Sequence, residues 1–201
     1  MDSEKQLGIP YITVLFIAVN ILIWLVLELM GDTQDSMFMI EHGAAYQPLI
    51  LYNREYFRLF TCMFLHFGAD HLMSNVLVLG VTGYRLENML GSVRFAVLYI
   101  WSGLWSSLFS LYVNTDIAEP AVSAGASGAI FGVSGGLLAW AIFHRGKAGG
   151  LTAKGLLGMA ALSLYLGFTA ADVDNWGHIG GLLAGFLLGC VYGLASKIRN
   201  H

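Results

Sequence analysis

Charge is scarce in this 201-residue chain: 11% of residues are Asp, Glu, Lys or Arg, against roughly a quarter in ordinary soluble domains. With 57% hydrophobic residues and a mean hydropathy of +0.68, the chain is built to be solvated by lipid. The net charge is only −3 and no basic block occurs, which gives nucleic acid no electrostatic footing. Cysteine is nearly missing as well. Cys62 and Cys190 are too few for a disulfide framework or a thiolate metal site, and both read as packing residues. No His-Glu-x-x-His is present, so the zinc-protease helix is excluded. The opening Met1-Asp2-Ser3-Glu4-Lys5 is too acidic for a cleaved secretory leader, so the first apolar run is expected to be a retained anchor.

Long apolar runs are abundant. A membrane span needs about 20 apolar residues, and six segments qualify: 11–30, 70–88, 93–113, 124–143, 153–170 and 177–196. The expected fold is an all-α membrane protein, a six-transmembrane-helix bundle. It divides into a short cytoplasmic N-terminus (1–10), one membrane domain (11–196) and a short cytoplasmic tail (197–201). The stretch 59–67 is apolar but too short to cross, and reads as an interfacial lead-in to the second span. Residues 31–58 are too many for a plain connection, which predicts a long, partly membrane-embedded first loop folded in its own right. A further loop, 169–176, precedes span six and could cap a water-filled cavity.

Lysine and arginine orient the spans. Lys5, Arg85, Arg94, Arg145, Lys147, Lys154, Lys197 and Arg199 fall on one side, eight of the ten basic residues. The positive-inside rule assigns that side to the cytoplasm, with both termini. Spans two, four and six then run from outside to inside. Their first residues include His71 and Asn75, Ser127, and His178. Topology alone sets these polar groups at one depth, near the outer face.

Small residues offer a reason for two of those spans to meet. Gly177, Gly181, Gly185, Gly189 and Gly193 recur every fourth residue in span six, and Ala124, Gly128, Gly132 and Gly136 in span four. Such stripes let helix backbones approach closely in a membrane. Facing each other, they would bring Ser127 and His178 to one seam at its outer end.

Each polar residue has a plainer reading. A serine in a membrane helix ordinarily bonds a carbonyl one turn back. Here Gly125 and Gly128 leave the backbone bare around Ser127, open to a substrate carbonyl, with free N–H groups at the helix start for an oxyanion. A lone intramembrane histidine can be a satisfied interhelical donor, but beside Ser127 a neutral His178 suits a general base. His71 and Asn75 lie one turn apart on one helix face, and each can donate a hydrogen bond. His66, five residues before His71, makes no natural chelate with it and reads as structural. Asp172 and Asp174 are the acidic residues nearest to His178 in sequence; they read as solvated loop charges, which favours a Ser-His dyad over a triad. His42, His144 and His201 read as interfacial or terminal.

Together these motifs resemble the rhomboid intramembrane serine proteases. Gly125-Ala126-Ser127-Gly128 is similar to the family's Gly-x-Ser-Gly nucleophile motif. His66-x4-His71-x3-Asn75 resembles its second-span motif, and His178-Ile179-Gly180-Gly181 its sixth-span histidine. Gly83-x3-Glu87-x3-Gly91 fits a further family pattern. The resemblance implies Ser127 as nucleophile and His178 as base, with His71, Asn75 and the Ser127 N–H holding the oxyanion. It implies support from Gly125, Gly128, Phe131, Gly181 and Gly185, and neither a metal nor an organic cofactor. Substrates would be single-span or multi-span membrane proteins, cut within the lipid bilayer near the extracytoplasmic end of a transmembrane segment. Span five would be the side gate. Phe131 stands where many members have tyrosine, so its ring could stack on the imidazole without a hydroxyl. Phe57-Arg58 stands where the first loop often has Trp-Arg. The rival expectation is a non-catalytic membrane protein on the same scaffold, binding or transporting transmembrane clients. Inactive relatives lack the serine or the histidine, and this chain has both.

Overall fold

The computed structural model describes residues 8–114, 120–144, 147–148, 150–169 and 173–199. It is all-α apart from two short ladders of two-residue strands. Helix α1 (Tyr11–Met30) is followed by two short helices, α2 (Ser36–Glu41) and α3 (Gln47–Leu51), with strand β1 (Ala45–Tyr46) between them. Helix α4 (Arg58–Thr61) continues as a tight turn over Cys62–Phe64 and then bends by 88° into α5 (Gly68–Leu90). Helix α6 (Ser92–Val113), strand β2 (Val122–Ser123) and α7 (Ser127–Phe143) follow, then the β3 (Lys147–Ala148) and β4 (Leu151–Thr152) ladder, α8 (Ala153–Thr169) and α9 (Asn175–Arg199).

By length and apolarity, α1, α6 and α9 can each cross a membrane, and a fourth crossing is available if α4 and α5 count as one bent span. The other two segments expected to span, 124–143 and 153–170, form helices of 17 residues each. At about 1.5 Å per residue such helices reach roughly 26 Å. The fourth predicted run loses its first three residues for a local reason. Val122–Ser123 pairs antiparallel with Ala45–Tyr46, and Gly125 adopts φ +145°, so the helix does not begin until Ser127.

The ends of α1, α5 and α6 meet at one carboxylate. Glu87 is buried; its Oε2 accepts the Thr13 N–H and hydroxyl, both at 2.7 Å. Its Oε1 accepts the Ile12 N–H at 3.0 Å and the Ser92 hydroxyl at 2.6 Å. The carboxylate thus supplies acceptors to the unpaired N–H groups at the positive end of α1. Gly83 makes room for Thr13, since a methyl there would lie 2.9 Å from its Cγ2. Gly91, at φ +82°, ends α5 and starts α6. The Gly83–Glu87–Gly91 spacing is therefore a junction between three helices.

A second buried charge organises the segment between α1 and α5. Arg58 donates from Nε to Glu55 at 2.7 Å and from Nη1 to the carbonyls of Ile40 and Ala44. A guanidinium with five donors can satisfy all of these at once. His42 packs tilted against Phe38 in the same region, and His144 stacks on Trp140 at the far end of α7. His201 lies outside the described residues. The apolar core runs between α5, α6 and α7 through Leu79, Leu86, Phe95, Leu98, Val133 and Leu137. Many large apolar side chains elsewhere, such as Leu22, Leu29, Leu162 and Leu187, point outward.

Candidate active site

The two glycine stripes face each other. A methyl on Gly181 would overlap the Gly128 carbonyl, and one on Gly185 the Gly132 carbonyl. A methyl on Gly189 would sit 2.9 Å from the Gly136 Cα. Helices α7 and α9 therefore pack backbone against backbone, the arrangement that small residues permit where lipid supplies no hydrophobic drive. Helix α6 wedges in as a third member. Its Ser102 and Ser106 are buried, and a methyl on Gly132 or Gly128 would collide with them. This serine stripe (Ser102, Ser106, Ser110) was missed in the sequence, although its own four-residue spacing was there to be read.

At the N-terminal end of that seam, Ser127 Oγ and His178 Nε2 lie 2.8 Å apart, within hydrogen-bond reach. With the imidazole proton on Nδ1, the serine hydroxyl donates to Nε2. Phe131, one turn after Ser127, stacks on the imidazole with centroids 4.3 Å apart and planes 14° from parallel. The His178 Nδ1 is buried and without a hydrogen-bond partner among the described residues. Stacking and the Ser127 contact orient the ring.

His71 stands against Gly125, close to Ser127. A methyl built on Gly125 would lie 2.8 Å from His71 Cε1 and 3.7 Å from Ser127 Oγ. Gly125 thus does more than bare the backbone, because its missing side chain is the space His71 occupies. Its φ of +145° would also strain any other residue. Asn75 is buried and donates from Nδ2 to the His71 carbonyl at 2.8 Å. His66 is buried, accepts the Ala126 N–H at Nε2 (3.3 Å), and meets His71 edge-on at 5.2 Å. It props up the segment leading into Ser127. Among the described residues, no three His, Cys, Asp or Glu side chains converge as metal ligands would.

Asp174 corrects an expectation. Rather than a solvated loop charge, it is a half-buried residue at the start of α9. Oδ1 accepts the Gly177 N–H at 2.8 Å, and Oδ2 accepts the Ser123 hydroxyl at 2.9 Å. Helix starts leave N–H groups unpaired, and an aspartate is well suited to accept one. Asp172 lies outside the described residues. Ser127, His178, His71, Asn75, Phe131 and Asp174 all line one cavity of about 1460 Å³.

The arrangement can be set beside known proteins. The family model described as "Rhomboid domain" matches residues 53–195. The chain belongs to the rhomboid family. It is 38% identical over 189 residues to Rhomboid protease GluP of Bacillus subtilis, covering 94% of this chain and 36% of that protein. RHOMBOID-like protein 1 of Arabidopsis thaliana is 38% identical over 163 residues, covering 79% of this chain and 40% of the relative. RHOMBOID-like protein 7 of the same plant is 38% identical over 166 residues, covering 80% and 50%. The chain spans between about a third and a half of these relatives' lengths. A rhomboid with apolar helices of this kind is a multi-pass membrane protein.

Proposed function

We propose that this rhomboid is an intramembrane serine endopeptidase that cuts transmembrane segments by a Ser127-His178 dyad. The observation that carries the reading is the 2.8 Å contact between Ser127 Oγ and His178 Nε2, a nucleophile and base in reach. The His178 Nε2 takes the serine proton as Oγ attacks the scissile carbonyl, then returns it to the leaving amine. Water, activated by the same nitrogen, hydrolyses the acyl-enzyme. The oxyanion is received by His71, Asn75 and the Ser127 N–H, which as the first residue of α7 has no intrahelical acceptor.

All six apolar segments are taken as spans, including the 17-residue α7 and α8. Because α7 reaches only roughly 26 Å against a hydrocarbon core of about 30 Å, its first residue sits recessed from the outer surface. The cavity of about 1460 Å³ supports water reaching that depth. The segment between α1 and α5 is submerged in the outer interface, its apolar side chains Met37, Leu51 and Tyr52 exposed to lipid. The surplus of Lys and Arg on the opposite face supports a cytoplasmic location for that face. Single-span or multi-span membrane proteins are the substrates.

The test is cleavage of a single-span substrate in liposomes by the wild type, Ser127→Ala and His178→Ala. Each variant is expected to lose activity by roughly a thousandfold or more. Turnover by either at a wild-type rate would overturn the dyad and favour a client-binding role.

A further inference from the structure

Four residues before Ser127 stands Ser123, and four before His178 stands Asp174. Their side chains meet at 2.9 Å, with the serine donating to Asp174 Oδ2. The reactive pair and this outer pair are each separated by 51 residues. They form two successive rungs between the same two chain segments. We propose that the Ser123–Asp174 rung is a positioning device that sets the distance between nucleophile and base. The inference rests on the dyad reading above.

The two rungs differ in what supports them. Below Ser127 and His178 the helices are locked by glycine backbones in contact, which leaves little freedom to slide. Above them α7 has not begun: Ala124 and Gly125 lie in neither helix nor strand and carry no polar side chain that could bond α9. The approach to Ser127 is held there by the Gly125 N–H on the Cys62 carbonyl (2.9 Å), by Ala126 on His66, and by Ser123 on Asp174. Of these three contacts, Ser123–Asp174 connects Ser127's segment directly to the helix carrying His178.

Asp174 is equipped for that task. One carboxylate oxygen is spent on the Gly177 N–H, and its own carbonyl accepts the His178 N–H at 3.0 Å. The residue is thereby fixed to the first turn of α9, through the N–H of the catalytic histidine and that of the residue before it. The remaining oxygen reaches across to Ser123. No hydrogen bond joins Asp174 to the imidazole itself, whose Nδ1 has no partner among the described residues. Asp174 therefore acts through backbone placement and not as a third member of the dyad. Catalysis is steep in such geometry, because a small misplacement of nucleophile and base costs far more than the bond that prevents it.

Four variants test this in liposomes: Ser123→Ala, Asp174→Ala, Asp174→Asn and the double alanine, with Ser127→Ala as the blank. The readouts are kcat and KM for a single-span substrate, the rate at which a fluorophosphonate labels Ser127, and the thermal midpoint. Ser123→Ala removes the rung and leaves the helix cap, so kcat and labelling should both fall roughly tenfold with KM moved less than about twofold. The double variant should be no slower than Asp174→Ala, since one bond cannot be lost twice. Asp174→Asn can still accept from Gly177 and pair with Ser123, and should recover most of the rate with an unchanged pH profile.

A full rate in Ser123→Ala, or Asp174→Asn as slow as Asp174→Ala, would overturn the inference; the second result would make the charge the active feature. Loss of rate explained wholly by unfolded protein would overturn it too. If the wild type cleaves and Ser127→Ala does not, these failures leave the protease reading standing. A wild type that neither cleaves nor labels would overturn both.

Discussion

Helices α7 and α8 have the same length, 17 residues, and nearly opposite surroundings. Ten residues of α7 are buried, seven of them glycine or alanine, whereas α8 buries only Leu156 and Gly167. Helix α7 is held by backbone contacts that admit no side chain. Helix α8 is tied to the start of α9 by the edge contact of Phe168 with Trp176, 6.4 Å between centroids, and by the fit of Asn175 against Gly167. The helix bearing Ser127 is tightly held, and its largely exposed neighbour α8 is loosely attached. Under the proposed function, a site that holds two atoms within hydrogen-bond reach and admits a substrate helix benefits from both.

The contrast can be broken most severely at the seam. Gly185→Val would drive a branched side chain into the Gly132 backbone. It should cost about 3 kcal/mol or more, read as a lowered thermal midpoint in detergent together with lost cleavage. A normal midpoint would mean that α7 and α9 are not pressed together as described.

Removing the ring that stacks on the imidazole acts locally. Phe131→Ala should lower kcat by roughly tenfold, the equivalent of an aromatic contact worth about 1 kcal/mol plus freer imidazole motion. Phe131→Tyr should keep the stack and most of the rate. Equal losses in both variants would show that stacking is not what matters at this position.

On the loose side the sign reverses. Phe168→Ala removes the edge contact that holds α8 to α9. It should speed cleavage of a bulky transmembrane substrate by about two- to fivefold, within the range of one aromatic pair, with the midpoint nearly unmoved. A slower enzyme would mean that the contact orders the site instead of restraining access. The smallest effect belongs to Gly158→Ala in α8, where an added methyl meets nothing within 4 Å. Stability should stay the same or rise by up to about 1 kcal/mol through helix propensity, measured by the same thermal scan.

Much of the site could be read from residue order because its parts are periodic. Glycines four apart in two runs pointed to a packed seam, and the serine and histidine beside its N-terminal end inherited proximity from it. The short α7 was not foreseeable from apolarity, since Ala124 and Gly125 are compatible with helix or strand. Pairing of the preceding Val122–Ser123 with Ala45–Tyr46, far away in sequence, keeps this stretch out of the helix. The role of Gly125 as room for His71, and the capture of Asp174 by Ser123, likewise depend on which segments the fold brings together.

Sequence by itself determined the lipid-solvated class, the family, and the faces that glycine leaves bare, and it led to the expectation of one depth for Ser127, His178, His71 and Asn75. These follow from composition, charge asymmetry and local spacing, which act along the chain. Tertiary structure decided where α7 begins, which side chains fill the spaces the glycines leave, and that Asp174 is a tether and not a loop charge. Those outcomes turn on contacts between residues remote in sequence, where sub-ångström differences in approach separate a hydrogen bond from a collision.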